Sequence, residues 1–266
     1  MSRKFVQASR YDVVQMLTSQ RKQLILERLK RDGQIIAKTL SAELGLSEDT
    51  IRRDLRELAG EGALQRVHGG ALPASSAVAD FQTRQGIAGT EKTAIGIAAA
   101  KMVTQESVII IDGGTTAVQM VRHLPRDLEA TIITHSPSIA VELIGHEGIE
   151  VVLIGGRLFK HSVVAVGAAA VEAISRIRAD IYFMGVTGLH PEIGLSTGDL
   201  EESHVKRALI ASAAETIVLA SPEKLHAASR FVIAPISEVT GIITNRNVPK
   251  NVMAPFEALG VTVTRA

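Results

Sequence analysis

One short run of the sequence carries residue types that could hold a phosphate group. The segment from Asp112 to Thr116 reads Asp-Gly-Gly-Thr-Thr, follows the apolar run Val108–Ile111 and precedes a stretch of helical periodicity. Glycines let a backbone approach an anion closely, and threonine hydroxyls and the free N–H groups of a helix start can donate to phosphate oxygens. The segment therefore predicts a phosphate or sugar-phosphate site, in which Asp112 accepts from a sugar hydroxyl or fixes the loop. A plain strand-to-helix turn is the alternative.

A second run places arginines on one face of a predicted helix. Apolar residues recur at helical spacing from Ile51 to Leu58 and define a buried stripe. Arg53 lies opposite that stripe, with Arg52 and Arg56 close to it. A planar guanidinium can bond guanine O6 and N7, or a phosphate, in two places at once. This face predicts contact with the major groove of double-stranded DNA, whereas a solvated face in a helical bundle is the alternative.

The flanks of this helix complete a winged helix-turn-helix pattern. Helices are predicted over Arg21–Arg31 and Lys38–Leu44, and Ser47 is a candidate N-cap for the arginine helix. The alternating segment 64–70, which ends in Gly69-Gly70, predicts a β-hairpin wing that could reach a phosphate or the minor groove. The candidate DNA contacts are Arg21, Ser47, Asp49, Thr50, Arg52, Arg53, Arg56, Arg66 and His68.

These motifs resemble the DNA-binding signature of the DeoR family of bacterial sugar-operon regulators. The resemblance is carried by S-x-x-T-I-R-R-D-L, beginning at Ser47, and by R-V-H-G-G-A, beginning at Arg66, and it extends from Arg21 to the C-terminus. It implies a C-terminal sensor domain with a fold similar to that of ribose-phosphate and glucosamine-phosphate isomerases. It also implies that this domain detects phosphorylated sugars or related metabolites.

The second part of the chain alternates apolar runs with helical stretches. Eight runs are predicted strands, from Val108–Ile111 to Val261–Val263, and helices separate most of them. Continuous apolar strands spaced by helices imply a mostly parallel sheet covered on both faces, with ligands bound at the carboxyl ends of the strands. The fold class is therefore α/β, with a winged helix-turn-helix ahead of a mostly parallel sensor domain.

The candidate small-molecule site gathers polar and glycine residues that follow these strands. Glu202 and Lys206 lie at i, i+4 on a predicted helix, where Lys206 would neutralise a phosphate and a surface ion pair is the alternative. The resemblance adds Lys224, retained from a D-x-S-K motif, and singles out His135, which replaces a usual asparagine and would assist as a cation. The candidates are Asp112, Gly113, Gly114, Thr115, Thr116, Thr134, His135, Ser136, Gly155, Gly156, Gly185, Thr187, Gly188, Glu202, Lys206 and Lys224.

Composition restricts the kinds of protein that this chain can be. The 266 residues are 46% hydrophobic and include no Cys, which excludes disulfides and thiolate metal sites. The histidines show no metal-binding spacing, so we expect neither a metal nor another cofactor. No apolar run approaches the roughly 18 residues of a membrane span, and no signal-peptide core is present. We therefore expect a soluble cytoplasmic protein with no membrane partner.

Charge is distributed unevenly along the chain. The net charge is +1, yet residues 1–72 carry 13 Lys and Arg against 9 Asp and Glu, which fits a DNA-binding head ahead of a sensor body. We expect a candidate disordered N-terminal extension over residues 1–20, with Met16 as a candidate natural start. A winged helix-turn-helix over residues 21–72, a linker over 73–90 anchored by Phe81, and a sensor domain over 91–266 follow.

These observations favour a transcription regulator, and a repressor in particular, over an enzyme. Its expected partners are double-stranded operator DNA and a phosphorylated sugar or polyol. Symmetric half-sites require paired heads, so a homo-oligomer, either dimer or tetramer, is expected. The alternative is a sugar-phosphate isomerase-like enzyme with an accessory DNA-binding domain. The segment GVTGLH after Met184 lacks the carboxylate that such general-base chemistry needs, which leaves only Asp199 and Glu202 nearby.

Overall fold

The computed structural model describes residues 17–75, 77 and 79–266. Residues 1–16 of the candidate disordered extension, and Met16 as a start, lie outside these described residues, whereas residues 18–20 of that extension are helical. The chain forms two compact units, one that ends at Ala74 and one that begins at Ser75. The segment predicted as a linker thus belongs to the second unit from Ser75 onward. Within the described part of the chain, no helix is both long and apolar enough to cross a bilayer.

Three helices and three short strands make the first unit, which has the predicted winged helix-turn-helix pattern. The Ser47 Oγ accepts from the Thr50 N–H at 3.1 Å and caps the third helix, as the sequence predicts. The predicted apolar stripe is buried, since Ile51, Leu55 and Leu58 are each at most 2% exposed. The elements are α1 Thr18–Asp32, β1 Ile35–Ile36, α2 Ala37–Leu44, α3 Glu48–Gly60, β2 Leu64–Val67 and β3 Gly70–Pro73.

The predicted wing is a hairpin of β2 and β3, in which Val67 pairs with Gly70 and Leu64 with Pro73. Strand β1 is too short for a sequence pattern, and it pairs antiparallel with β3. Gly70 is required at this crossing, because a Cβ at this position would lie 1.8 Å from the Ile35 carbonyl oxygen. The pairing with β1 therefore joins one edge of the wing to the body of the unit.

A buried ion pair holds α1 against α3. The Arg21 guanidinium donates to both carboxylate oxygens of Asp54, and the Asp54 side chain is only 2% exposed. At the surface beside this pair, the Lys22 Nζ forms ion pairs with Glu57 at 3.1 Å and with Glu61 at 2.8 Å. Arg21 therefore does not present its guanidinium to DNA as predicted, because the carboxylate inside the head needs it as a partner.

A parallel sheet of seven strands forms the centre of the second unit, in the order β15-β14-β12-β9-β4-β5-β6. This agrees with the predicted mostly parallel α/β architecture. The elements are α4 Phe81–Gln85, α5 Gly89–Ala100, β4 Val108–Ile111, α6 Thr115–Arg122, β5 Ala130–Thr134, α7 Pro137–Leu143, β6 Ile149–Leu153, β7 Arg157–Phe159, β8 Val164–Val166, α8 Ala168–Ile174, β9 Ala179–Gly185, β10 Gly188–His190, β11 Gly194–Thr197, α9 Leu200–Ala211, β12 Ala213–Leu219, a 3₁₀ turn Pro222–Lys224, β13 Phe231–Ala234, a second 3₁₀ turn Ile236–Glu238, β14 Gly241–Thr244, α10 Lys250–Ala258 and β15 Thr262–Arg265.

Helices cover both faces of this sheet, as its continuous apolar strands require. In β4, Ile109 and Ile111 pack into one core cluster together with Val121 of α6. Ile110, between them, packs into the other cluster with Leu209 of α9. Because side chains alternate along a strand, a strand that is apolar at every position must be buried on both sides.

Two smaller β-structures differ from the prediction. Seven of the eight predicted strands join the parallel sheet, but the run Val232–Ala234 lies in a separate sheet of order β10-β11-β13, where it pairs antiparallel with β11. The hairpin of β7 and β8 is also absent from the sequence-based prediction. These strands have three or four residues each, too few to show a period.

The predicted linker is partly helical. The Asp80 Oδ1 accepts from the Thr83 N–H at 2.8 Å and caps α4, and α5 begins at Gly89, two residues before the predicted domain boundary at residue 91. Phe81 packs against the core cluster that contains Ile95, which is the anchoring role predicted for it. The chain is therefore fixed to the sensor unit before α5 begins.

The Arg21–Asp54 pair can be tested by removing its cation. Arg21→Ala leaves a buried carboxylate without a partner, so we expect the head to lose about 2–3 kcal/mol of unfolding free energy. Differential scanning calorimetry of the full chain measures the loss as a lower transition temperature of the head. Arg31→Ala, which removes a solvent-exposed cation paired with Asp32, is the matched control and should change little. Equal behaviour of the two variants would contradict a structural role for Arg21.

Candidate functional site

The outer face of α3 carries the predicted arginine row. Arg52, Arg53 and Arg56 are all exposed, opposite the buried stripe. Arg52 donates to Glu48 at 2.7 Å, whereas the structure gives Arg53 and Arg56 no hydrogen bond or ion pair within the described residues. The two latter guanidinium groups are therefore available to bases or phosphates without breaking an internal bond.

Of the other predicted DNA contacts, two are hydrogen-bonded to each other and three are exposed to solvent. The hydroxyls of Ser47 and Thr50 lie 2.9 Å apart and share a hydrogen bond at the start of α3. Asp49 in the same turn is exposed. Arg66 and His68 are exposed on the wing, and the hairpin turns at His68 and Gly69, where Gly69 has a φ of 77°. A left-handed φ suits glycine, and it lets two residues reverse the chain.

In the second unit, the order of the sheet places a crevice between β4 and β9. From β4 the chain proceeds to β5 and β6 on one side, while β9, β12, β14 and β15 follow on the other. Ligands of open parallel sheets bind outside the carboxyl ends of the strands at such a reversal. Asp112 directly follows β4 and Gly185 ends β9, so the predicted Asp-Gly-Gly-Thr-Thr loop lies at this crevice.

Asp112 is fully buried and organises the floor of the crevice. Its Oδ1 accepts from the Gly113 N–H at 2.8 Å and from His135 Nε2 at 2.7 Å. Its Oδ2 accepts from Tyr182 Oη at 3.0 Å, from the Gly185 N–H at 2.9 Å and from Lys206 Nζ. Burial raises the pKa of Asp112, but the charges of Lys206 and His135 outweigh it and hold the pKa well below the usual value. Asp112 therefore fixes the loop, the second of the two roles predicted for it.

Lys206 is committed to this network. Besides Asp112, its Nζ donates to the Gly185 carbonyl oxygen at 2.9 Å and lies 3.5 Å from Glu202 Oε1. Burial lowers the pKa of Lys206, yet Asp112 and Glu202 raise it above the usual value. Its three N–H groups thus face three internal acceptors, which does not support its predicted role as the cation that neutralises a phosphate. The pair Glu202–Lys206 is buried rather than on the surface.

His135 also has an internal role rather than the predicted contact with phosphate. The ring is fully buried, and Nδ1 lies 2.9 Å from the Ala165 carbonyl oxygen while Nε2 faces Asp112. Both ring nitrogens therefore have partners inside the protein, and His135 does not line the cavity.

A cavity of about 110 Å³ opens above this floor. Nine predicted residues line it, which means that the loop, the end of β9 and α9 do converge as expected from the sheet. A Cβ on Gly113 would lie 2.3 Å from Val164 Cγ1, so the loop can pass there only as glycine. The nine residues are Gly113, Gly114, Thr115, Thr116, Gly185, Thr187, Glu202, Lys206 and Lys224.

The remaining predicted residues do not line the cavity. Thr134 and Ser136 are fully buried, where the Thr134 Oγ1 accepts from the Ser136 N–H and the Ser136 Oγ donates to Val163. Gly155 and Gly156 follow β6, the outermost strand on that side, and are therefore two strands away from the crevice. Gly188 packs against Ala227, whose carbonyl oxygen would lie 2.6 Å from an added Cβ. Close packing accounts for Gly188 without a ligand.

Four cationic side chains meet at the cavity, and the sequence prediction includes only two of them. Arg84 of α4 and Lys92 of α5 line the cavity together with Lys206 and Lys224. Lys92 donates to the backbone carbonyl oxygens of Arg84, at 2.6 Å, and of Ile87. Lys92 stands in no motif, whereas Arg84 ends the pattern F-x-x-R that begins at Phe81, and this pattern could have signalled it.

Lys224 differs from Lys206 in having few partners. Its Nζ donates only to the Leu219 carbonyl oxygen, at 3.3 Å, within the described residues. Burial lowers the pKa of Lys224 to about 8, and the nearby cations Arg84, Lys92 and Lys206 contribute, against the opposing charge of Glu223. A buried cation whose charge Glu223 offsets only in part destabilises the fold, and a bound anion would relieve this.

Two buried polar atoms at the cavity lack a hydrogen-bond partner among the described residues, Thr116 Oγ1 and Arg84 Nε. Thr116 lies in the first turn of α6, where the N-cap Gly114 offers no side chain to the free N–H groups. Buried donors are normally satisfied, so orphaned ones that face a cavity indicate a missing acceptor. The cavity thus combines cations, hydroxyls and helix N–H groups, which together suit a phosphate.

The two buried lysines allow a matched test of this assignment. Lys206→Met should destabilise the protein by about 3–5 kcal/mol, because Asp112 stays buried without its cation. Lys224→Met should stabilise it by about 1–3 kcal/mol, because it removes a buried charge that Glu223 offsets only in part. Urea unfolding of the two variants measures both changes. A destabilised Lys224→Met variant would contradict the account of a poorly compensated cation.

Comparison with known protein families covers both units. The DeoR-like helix-turn-helix domain matches residues 21–77, and the DeoR C terminal sensor domain matches residues 88–246, which is more than half of the chain. Among solved structures, ribose 5-phosphate isomerase A from Methanocaldococcus jannaschii aligns with 50% of this chain and 52% of its own, at 20% identity and a TM-score of 0.37. That likeness is weak.

Relatives of known type align along nearly the full chain. The HTH-type transcriptional regulator GlpR of Haloferax volcanii is 34% identical over 253 residues, covering 93% of this chain and 98% of its own. The glycerol-3-phosphate regulon repressor of Escherichia coli strain K12 is 30% identical over 239 residues, covering 90% of this chain and 95% of its own. The resemblance predicted from the motifs is confirmed, and this chain belongs to the DeoR family of DNA-binding transcriptional regulators.

Proposed function

We propose that this DeoR-family regulator binds operator DNA through α3 and the wing, and that a phosphorylated sugar or polyol in the cavity controls this binding. The observation that carries the proposal is the anion-binding character of the cavity, which Thr116, the start of α6 and Lys224 line together. A ligand can control DNA affinity only by binding one conformation of the regulator better than another.

The first turn of α6 is the proposed position of the phosphate group. Free N–H groups and the positive end of the helix dipole favour an anion there, and Thr115 and Thr116 add hydroxyl donors. Lys224 supplies a positive charge from the 3₁₀ turn after β12. The name of the Escherichia coli relative, a repressor of the glycerol-3-phosphate regulon, supports a small phosphorylated metabolite as the class of effector.

The enzyme alternative has less support from the same cavity. An isomerase needs a free carboxylate to act as general base. Asp112 has a depressed pKa and accepts five hydrogen bonds, and Glu202 accepts from Thr197 Oγ1 at 2.7 Å and lies beside Lys206. Asp112 and Glu202 thus stabilise the charges of the site, and the Asp199 Oδ1 caps α9 by accepting from the Glu202 N–H at 2.9 Å.

Operator recognition is expected to use pairs of heads, because winged helix-turn-helix proteins read symmetric half-sites. We propose accordingly that the regulator acts as a homo-oligomer, a dimer or a tetramer. Within each head, Arg53 and Arg56 would contact base edges or phosphates, and Arg66 on the wing would contact the neighbouring backbone.

Removing the central arginine tests the DNA-binding face. Arg53→Ala should lose sequence discrimination of about 1–3 kcal/mol, because one bidentate contact to a base edge is lost. Gel-shift titration with operator and with scrambled DNA measures it. Arg176→Ala, a charge-matched change at an exposed residue of the second unit, is the control. Unchanged discrimination by Arg53→Ala would show that α3 is oriented differently on DNA.

The pH dependence of effector binding tests the phosphate site. A phosphate monoester gains its second negative charge as the pH rises through about 6, whereas Lys224 loses its proton as the pH rises through its pKa of about 8. The affinity for a phosphorylated ligand should therefore be greatest between these values and fall as pH rises through 8. Thermal-shift titration with glycerol 3-phosphate and a panel of sugar phosphates measures it, with the unphosphorylated compounds as controls.

A charge-preserving variant sharpens that test. Lys224→Arg keeps its charge above pH 8, so the loss of affinity on the alkaline side should disappear. Lys224→Met should bind weakly at every pH. An alkaline loss that persists in Lys224→Arg would assign the titration to another group, and a panel without any stabilising phosphorylated ligand would contradict the proposed effector class.

A further inference from the structure

Arg84 is a cation at the cavity whose backbone is held by a hydrogen bond, while its side-chain Nε has no partner within the described residues. It lies in α4, half-buried, and its Nε has no hydrogen-bond partner among the described residues. The structure gives its guanidinium no ion pair within the same part of the chain. Guanidinium groups bury poorly without an acceptor, so this position indicates a ligand that the side chain is placed to bind.

The segment around Arg84 is held in place on both sides. We call residues 79–88, which follow the head and precede α5, the entry segment. At its start the Phe81 N–H donates to the His161 carbonyl oxygen at 2.9 Å, and Asp80 caps α4. At its end Lys92 donates to the carbonyl oxygens of Arg84 and Ile87. These bonds orient Arg84 toward the cavity before any ligand is present.

The charges around the cavity favour an anion next to Arg84. Burial lowers the pKa of Arg84, and burial also lowers the pKa of Lys92 and Lys224, each of which the charge of Arg84 lowers further. Lys92 is occupied by backbone carbonyl oxygens, and the acidic groups Asp112 and Glu202 are bonded to other donors. A dianion between Arg84 and Lys224 would offset the mutual repulsion of these cations.

We propose that Arg84 binds the phosphate of the effector from the entry segment, so that one anion bridges the sheet edge and the stretch of chain that continues from the DNA-binding head. This assignment rests on the proposed function of the cavity and adds to it the route by which occupancy acts on the chain. The α6 loop and Lys224 belong to the body of the sensor, whereas Arg84 belongs to the segment that follows the head in sequence.

The bridge has a thermodynamic consequence for the entry segment. A ligand that is bonded to Arg84 stabilises every conformation in which the segment lies over the cavity, and it stabilises no conformation in which the segment has left it. Effector binding therefore restricts the entry segment, and the first unit is attached to the body through residues that immediately precede it. The differential affinity that control of DNA binding requires would arise at Arg84.

The experiment uses inorganic phosphate as the probe on the full chain, with sodium chloride at equal ionic strength as the reference. Titration by thermal shift should show stabilisation of the wild-type protein by phosphate. Arg84→Ala should weaken phosphate binding roughly 10- to 100-fold, because one charge-assisted contact is lost. Gln85→Ala, an exposed neighbour on the same helix, is the matched control and should bind as the wild type does.

A second measurement separates the bridge from simple loss of charge. Hydrogen–deuterium exchange of peptides covering residues 79–88 should slow when phosphate saturates the wild-type protein. Arg84→Ala at phosphate concentrations raised to reach equal occupancy should not show this protection, and Arg84→Lys should restore part of it. Protection that is equal in wild-type protein and Arg84→Ala at equal occupancy would overturn the bridge.

The outcomes distinguish this inference from the function on which it rests. If neither phosphate nor the phosphorylated panel stabilises the wild-type protein, the proposed cavity function is wrong. If phosphate binds the wild-type protein and Arg84→Ala with the same affinity, the cavity function stands and the role of Arg84 is wrong. If Arg84→Ala unfolds, Arg84→Gln keeps the volume and polar end of the side chain and replaces it in both measurements.

Discussion

The burial of one carboxylate, Asp112, is the constraint on which the sensor unit depends. An ionised group removed from water costs several kcal/mol unless cations and hydrogen-bond donors replace the solvent. Those groups come from other elements: His135 follows β5, Tyr182 lies in β9 and Lys206 lies in α9. The carboxylate therefore requires β5, β4 and β9 to be neighbours with α9 packed behind them, which is the arrangement that opens the crevice at the reversal of strand order.

The site contains two kinds of buried lysine, and the difference between them is functional. Lys206 has internal acceptors for its N–H groups, so its charge contributes to the fold. Lys224 has a single carbonyl partner at 3.3 Å among the described residues and a lowered pKa, so its charge destabilises the fold. A protein that only needed stability would replace Lys224 by an apolar residue. The presence of Lys224 is understandable if an anion binds beside it. Binding then relieves the unfavourable free energy of burying its charge.

The sequence contains the local parts of this structure and lacks the long-range ones. Continuous apolar runs such as Val108–Ile111 identify buried parallel strands, and Ser47 identifies the start of α3, since both patterns depend on residues close in the chain. Asp112 reaches Lys206 across 94 residues and Arg21 reaches Asp54 across 33. Such partners follow only from the fold, which is why Arg21, His135 and Lys206 were expected to face ligands and instead hold the interior together.

The entry segment is notable for its position in the chain rather than for its composition. Residues 79–88 are mostly polar or small, and their sequence predicts only a connection between the head and the sensor. Yet Phe81 packs into the core, Lys92 holds the backbone of α4, and Arg84 remains unpaired at the cavity. If Arg84 only stabilised the linker, we would expect its side-chain N–H groups to donate to acceptors of the protein itself. An Nε without a partner, on the stretch that joins the DNA-binding unit to the sensor unit, is what the proposed ligand-dependent connection requires.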